Sequence, residues 1–209
     1  MKILPTYIKN TIKTTLTAGV ILLSTSTIKS QPNTYFHQPV QDSFEFKNSV
    51  LPSGTTNPHV LKSAPNSQIE IQGEIKNASI VVDLSKNILY KYDENGAPEC
   101  AYLVASGKPQ TPTHKGIRIV THIESYPYRT APKCTKRYRT PKAFGPNIIC
   151  LNKIDVTTGE QSQTGEFIHG NNDAKSIGTY ASHGCIRMDN EVIKALSKQV
   201  KRGDIVIIK

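Results

Sequence analysis

The chain has 209 residues, 37% of them hydrophobic, and a formal net charge of +10. That supports one domain with a proper core and is too short for two large ones. Residues 1–30 hold Lys2, Lys9, Lys13 and Lys29 and no acid, so 22 bases meet 16 acids in the rest of the chain. The remaining +6 suits acidic polymers or carboxylate-bearing substrates but lacks the Lys/Arg clusters with interleaved aromatics of a nucleic-acid binder.

In chain order, residues 1–30 are first basic, then apolar over Leu16 to Leu23 ("LTAGVILL"), then Ser/Thr-rich. This is the order of a secretory signal peptide whose apolar core is too short to span a bilayer. Small residues (Ser24, Ser26, Ser30) stand where an A-x-A site would be, so cleavage and an uncleaved membrane anchor both stay open. An ordinary amphipathic helix at the front of a cytosolic protein is the plain alternative. The expectation is export, to the periplasm or cell wall, and thus an oxidising space. The four cysteines, Cys100, Cys134, Cys150 and Cys185, are too few for a disulfide scaffold. A thiol used in chemistry must stay unpaired, and Cys134 with Cys150, flanking a Pro- and base-rich loop, is the candidate pair.

Residues 31–77 are rich in Pro, Asn, Ser and Gln without a sustained period. They read as a linker or loosely ordered arm with room for a short strand at Gln68 to Ile71. From Ala78 the runs "ASIVVDL", "NILYKYD" and "ECAYLVASG", with the turn dipeptide Asn95-Gly96, predict an antiparallel meander. "GIRIVTHIE" predicts a further strand. Residues 125–146, with four prolines and many bases, predict an excursion off the sheet, and such long loops serve as functional covers or stay disordered. "NIICLNKI" and "GEFIHG" predict strands, the second carrying His169 to its end. "DNEVIKALSKQVKRG" predicts a helix capped by Asp189 and stopped at Gly203, and "DIVIIK" a closing strand. The sum is a mainly β domain over residues 78–209, a sandwich or barrel by pattern, with one helix before the last strand.

The chemistry gathers in "SHGCIRM", Ser182 to Met188, and in "FIHG". A cysteine attacks as thiolate, and an imidazole beside it lowers the thiol pKa and later protonates the leaving amine. Cys185 is therefore the candidate nucleophile and His169 its base, held as a thiolate–imidazolium pair. Gly184 allows a tight kink whose amides, with that of Cys185, face a developing oxyanion, and the nearby helix start favours thiolate. His183 is either an oxyanion donor or a supporting hydrogen-bonding residue. Arg187 either forks a substrate carboxylate or pairs with Asp189 or Glu191 on the surface. Zinc held by His169, His183 and Cys185 lacks any CxxC or HExxH spacing, so no metal and no cofactor is expected.

These residues resemble the signature of the L,D-transpeptidase catalytic domain, the YkuD-like family: His169-Gly170, then Ser182-His183-Gly184-Cys185-Ile186-Arg187-Met188. "IVVDLSKNILYKYDENGAPECAYLVASGK" resembles its opening strands and "TPTHKGIRIV" its "TPTG" turn and strand, with "THKG" as a departure. The resemblance implies a metal-free, β-sandwich-like domain with a mobile cover over its cleft. It implies Cys185 as nucleophile, His169 as base and acid, and Gly184 with His183 and Ser182 as oxyanion and support region. Arg187 and Gly170 are the candidate substrate contacts. The implied reaction is acyl transfer between peptidoglycan stem peptides through a thioester, forming 3→3 cross-links, by a monomer. The alternatives are an L,D-carboxypeptidase or amidase with the same Cys/His pair, and a non-catalytic wall-binding protein.

Overall fold

The computed structural model describes residues 56–129 and 131–209, so the expectations for residues 1–30, and for the arm as far as residue 55, lie outside the described residues. The remainder of that segment is ordered into elements. A helical turn, α1 (Pro58–Lys62), is capped by Asn57, whose side chain accepts the His59 N–H. An antiparallel hairpin, β1 (Gln68–Ile71) and β2 (Glu74–Asn77), follows, its tight turn holding Gln72 and Gly73 at positive φ.

The main sheet is built from β3 (Ile80–Asp83), β4 (Ile88–Tyr92), β5 (Pro98–Leu103), β7 (Gly116–Ser125), β8 (Asn147–Ile154), β9 (Gln161–His169), β11 (Ile186–Arg187) and β12 (Ile205–Ile208). Between these lie β6 (Ser106–Gly107) and β10 (Tyr180–Ser182), which pair in parallel with each other. The eight strands run in the order β11-β9-β8-β7-β12-β3-β4-β5. β3, β4 and β5 form the expected antiparallel meander. The Asn95-Gly96 turn between the last two has Gly96 at φ 83°, a left-handed geometry that glycine adopts without steric cost.

The sheet curls until its two edges meet. Just past β5, Ala105 exchanges both backbone hydrogen bonds with Arg187 of β11, at 2.9 and 2.8 Å. Inside the curl, one apolar cluster joins Tyr102 and Val104 at one edge to Ile168, Ile186 and Met188 at the other. It also takes in Val192, Ile193 and Leu196 of the helix α3 (Asn190–Leu196). Outside, α1 and the β1–β2 hairpin cover a second cluster that includes Val81, Ile88, Tyr90, Tyr92 and Ile207. With both faces covered, β4 is buried along its whole length.

The expected helix is shorter than its apolar spacing implied. It ends at Leu196, and the chain continues through turns to Val200, which still fills the core. Gly203, at φ 94°, serves the turn into β12 instead of stopping the helix. The excursion between β7 and β8 carries the helical turn α2 (Lys136–Arg139) and a 3₁₀ turn at Pro141–Phe144. It lies over the outer face of β8 and β9, where Tyr128, Ala131 and Phe144 pack against Ile148, Cys150 and Phe167.

Candidate active site

The loop that carries Cys185 is pinned from within and from the side. Ser182, fully buried, donates its hydroxyl to the Cys185 carbonyl and accepts the Gly184 N–H at 3.0 Å. Gly184 has φ 114°, a conformation an L side chain rarely adopts. From the other side the "TPT" turn buttresses it: Thr113 accepts the Gly107 N–H at 2.8 Å and donates to the Gly184 carbonyl at 2.9 Å, and Thr111 donates to the Ser182 carbonyl at 3.3 Å. Gly107 permits this approach, because a Cβ there would lie 2.3 Å from the Thr113 nitrogen. Reading residue by residue missed Thr111, Thr113 and Gly107 as parts of the site; the signal was the likeness of the "TPT" turn to the family pattern.

β11 runs parallel to β9 with Arg187 opposite His169. Residues two apart on a strand share a face, so Cys185, beside the start of β11, is a diagonal neighbour of His169 on the outer face. His169 is 3% exposed, its ring centroid 4.8 Å from that of Phe144 in the cover. Its Nδ1–H donates to the Gly170 carbonyl, an oxygen able only to accept, which leaves Nε2 with the lone pair. Behind it, Asn171 ties the β9 end to α3: its side chain donates to the Met188 carbonyl and its N–H to Asn190 Oδ1, the latter at 2.9 Å.

The surroundings of the two groups work against the expected ion pair. Burial pushes the Cys185 thiol up, with Glu166 adding to the rise, while the Phe167 backbone and Arg187 offset part of it. Burial lowers the His169 pKa to about 4, Arg187 adds to the fall, and the Gly170 and Phe144 carbonyls oppose it. Taking charge out of water outweighs the local partners at each group, which favours thiol and neutral imidazole. The expected help from the helix start also fails, because the Asp189 carboxylate caps α3 by accepting the Glu191 and Val192 N–H groups and so brings negative charge there.

Other expected residues take different places. The Gly184 amide is spent on Ser182, whereas the N–H groups of His183 and Cys185 have no acceptor among the described residues. Gly170 is buried and contributes its carbonyl to His169; a Cβ on it would stand 2.4 Å from Asn190 Oδ1. The His183 side chain is exposed on the rim, where Lys108 above all, then burial, Lys136 and Arg187 lower its pKa. Arg187 has no carboxylate within ion-pair distance among the described residues, so its predicted pairing with Asp189 or Glu191 is not formed. Its charge acts on Cys185, His169 and His183 alike, which sets a cation at the mouth of the site. All four cysteines are free, so the Cys134–Cys150 pairing is not formed; Cys134 is exposed and Cys150 buried. The three ligating side chains brought together are His122, Glu124 and Cys150, not His169, His183 and Cys185.

Comparison with known proteins gives a match to the family model described as the L,D-transpeptidase catalytic domain (YkuD) over residues 77–208. Among solved structures, an Enterococcus faecium L,D-transpeptidase is 23% identical, with a TM-score of 0.46 over 63% of this chain and 49% of that one. A Mycobacterium tuberculosis L,D-transpeptidase is 18% identical, with a TM-score of 0.43 over 64% and 58%. A Bdellovibrio bacteriovorus protein is 22% identical, with a TM-score of 0.49 over 70% and 53%. The chain thus spans about half the length of these solved relatives. No curated protein matches it.

Proposed function

Because the chain belongs to the family of L,D-transpeptidase catalytic domains, matched over residues 77–208, we propose that it is an exported, monomeric cysteine acyltransferase that cross-links peptidoglycan stem peptides, with Cys185 as nucleophile and His169 as base. What supports this reading is the register that sets Arg187 opposite His169, which makes Cys185 and His169 diagonal neighbours on one face of β9 and β11, with Nδ1 of His169 tied to the Gly170 carbonyl. The basic, then apolar, then Ser/Thr-rich order of residues 1–30 supports export to where murein lies.

In this mechanism Cys185 Sγ attacks the carbonyl carbon between the L-centre at position three and the D-residue at position four of a donor stem. The thiol proton passes to Nε2 of His169 as the S–C bond forms, in keeping with burial that disfavours charge on both groups. The unpaired N–H groups of His183 and Cys185 face the oxyanion. Collapse breaks the C–N bond, the imidazolium returns its proton to the departing amine, and the D-amino acid leaves. An acceptor amine then attacks the thioester and expels the Cys185 sulfur, giving the 3→3 link and the original thiol. Arg187, without a protein partner, forks a stem carboxylate at the mouth.

Incubation with disaccharide-tetrapeptide tests the reading. A 3→3 dimer with release of the D-amino acid is expected. Tripeptide alone makes water the acceptor and the protein a carboxypeptidase, and no turnover leaves a wall-binding protein.

A further inference from the structure

A second group of reactive side chains lies on β8 and β7, two and three strands from β11, on the same outer face. β7 shifts register against β8 between Val120 and His122, and this bulge sets His122 opposite Cys150; Glu124 follows two residues later on the same face. Bulges re-aim side chains and concentrate at functional positions. One ligand atom from each of His122, Glu124 and Cys150 lies within 4.8 Å of the others. Ligand atoms of a tetrahedral zinc stand roughly 3.5 Å apart, so the three need close by only about 1 Å to share an ion.

The place already holds a cation. The Arg137 guanidinium reaches down from α2, with Nη1 3.2 Å from Glu124 Oε1 and 3.6 Å from Cys150 Sγ. It is an imperfect occupant, because its buried Nε–H has no hydrogen-bond partner. The imidazole is also prepared. Its Nε2 is 2.9 Å from Glu124, and its Nδ1 is 3.1 Å from the Thr121 hydroxyl, which itself donates to the Cys150 carbonyl. A tautomer with Nδ1–H donating to Thr121 frees Nε2 as a ligand, and such an outer partner orients a metal-bound histidine. The His122 side chain is 54% exposed, which gives an ion its path in and a water its fourth position.

We propose that His122, Glu124 and Cys150 form a binding site for a borderline-soft divalent cation of the zinc class, which enters by displacing the Arg137 guanidinium. On binding, the Cys150 thiol gives its proton to water as the sulfur–metal bond forms, while Glu124 brings a carboxylate and His122 a neutral nitrogen. Two anionic ligands balance the ion's charge, and Arg137 is released from the sheet together with α2. The three ligands include neither Cys185 nor His169, and the proposal does not depend on the acyl-transfer reading.

Cobalt(II) titration of the full chain carrying Cys185→Ser, with zinc(II) as competitor, reads the site through thiolate-to-cobalt charge-transfer absorption. One cobalt per chain is expected, displaced by zinc. The band should vanish in Cys150→Ser, weaken about tenfold or more in His122→Ala, and appear at lower cobalt in Arg137→Ala, where the competitor is gone. Absence of the band, its survival in Cys150→Ser, or indifference to His122→Ala overturns the proposal. Should Cys150→Ser lose its circular-dichroism signature, the exposed His122→Ala and Arg137→Ala decide the matter in the same way.

Discussion

At His169, burial beneath Phe144 lowers the imidazole pKa to about 4, and that has consequences of definite sign for both rate and stability. The ring is neutral and ready to accept a proton at any pH above that value, so the acid limb of kcat/KM should fall near pH 4, not near 6.5. Between those two values the unfolded chain binds a proton that the folded chain refuses. Stability therefore falls as pH drops through that window, by roughly 3 kcal/mol at its lower end. Urea unfolding at pH 7.5 and 4.5 should show a smaller loss for His169→Asn than for the natural sequence; equal losses would mean the ring is not held neutral. Cys185, pushed the other way, should still be gaining reactivity towards iodoacetamide at a pH where a free thiol has levelled off. A plateau at or below the ordinary thiol pKa would restore the ion pair. Thr113 serves Gly107 and Gly184 with one hydroxyl, so Thr113→Val should cost roughly 1–3 kcal/mol by thermal unfolding and lower acylation more than that loss explains.

Among the elements, the excursion between β7 and β8 is what dries His169. Phe144→Ala removes the ring that packs, tilted, against the imidazole, and the His169 resonance should then titrate closer to 6.5 in a proton-NMR pH series; an unmoved midpoint would assign the burial to other groups. The main strands were legible because β3, β7, β8 and β12 are rich in β-branched residues and β4 in apolar and aromatic ones, and the cover because its prolines cannot lie in a central strand. β6, β10 and β11, two or three residues each, are too short for any period to register, yet they position Cys185. Cys185 and His169 were legible as residue types capable of acyl chemistry. Their protonation was not, because it follows from burial, and burial depends on Phe144 arriving from a segment that precedes β8. Thr113 was invisible as a site residue for a related reason: its contact with Gly184 spans 71 positions of sequence.

Over the described molecule, closure of the sheet ties the proposed nucleophile to the fold's integrity. The Ala105–Arg187 bridge joins the two edges, and Cys185 stands two residues before that seam. The outer apolar cluster is completed by Val60 and Ile71, which precede residue 78. A chain starting at residue 78 should therefore unfold at lower temperature than the full chain and expose Val81, Ile88, Tyr90 and Tyr92 to a hydrophobic dye; an unchanged midpoint would make α1 and the β1–β2 hairpin dispensable. The most direct test of the central claim is intact and peptide-level mass spectrometry of the full chain mixed with a donor tetrapeptide. The account predicts a tripeptidyl acyl adduct on Cys185, absent from Cys185→Ala and slowed about 10²–10⁴-fold in His169→Ala. An adduct confined to Cys134 or Cys150, or an acylation rate indifferent to His169, would contradict it.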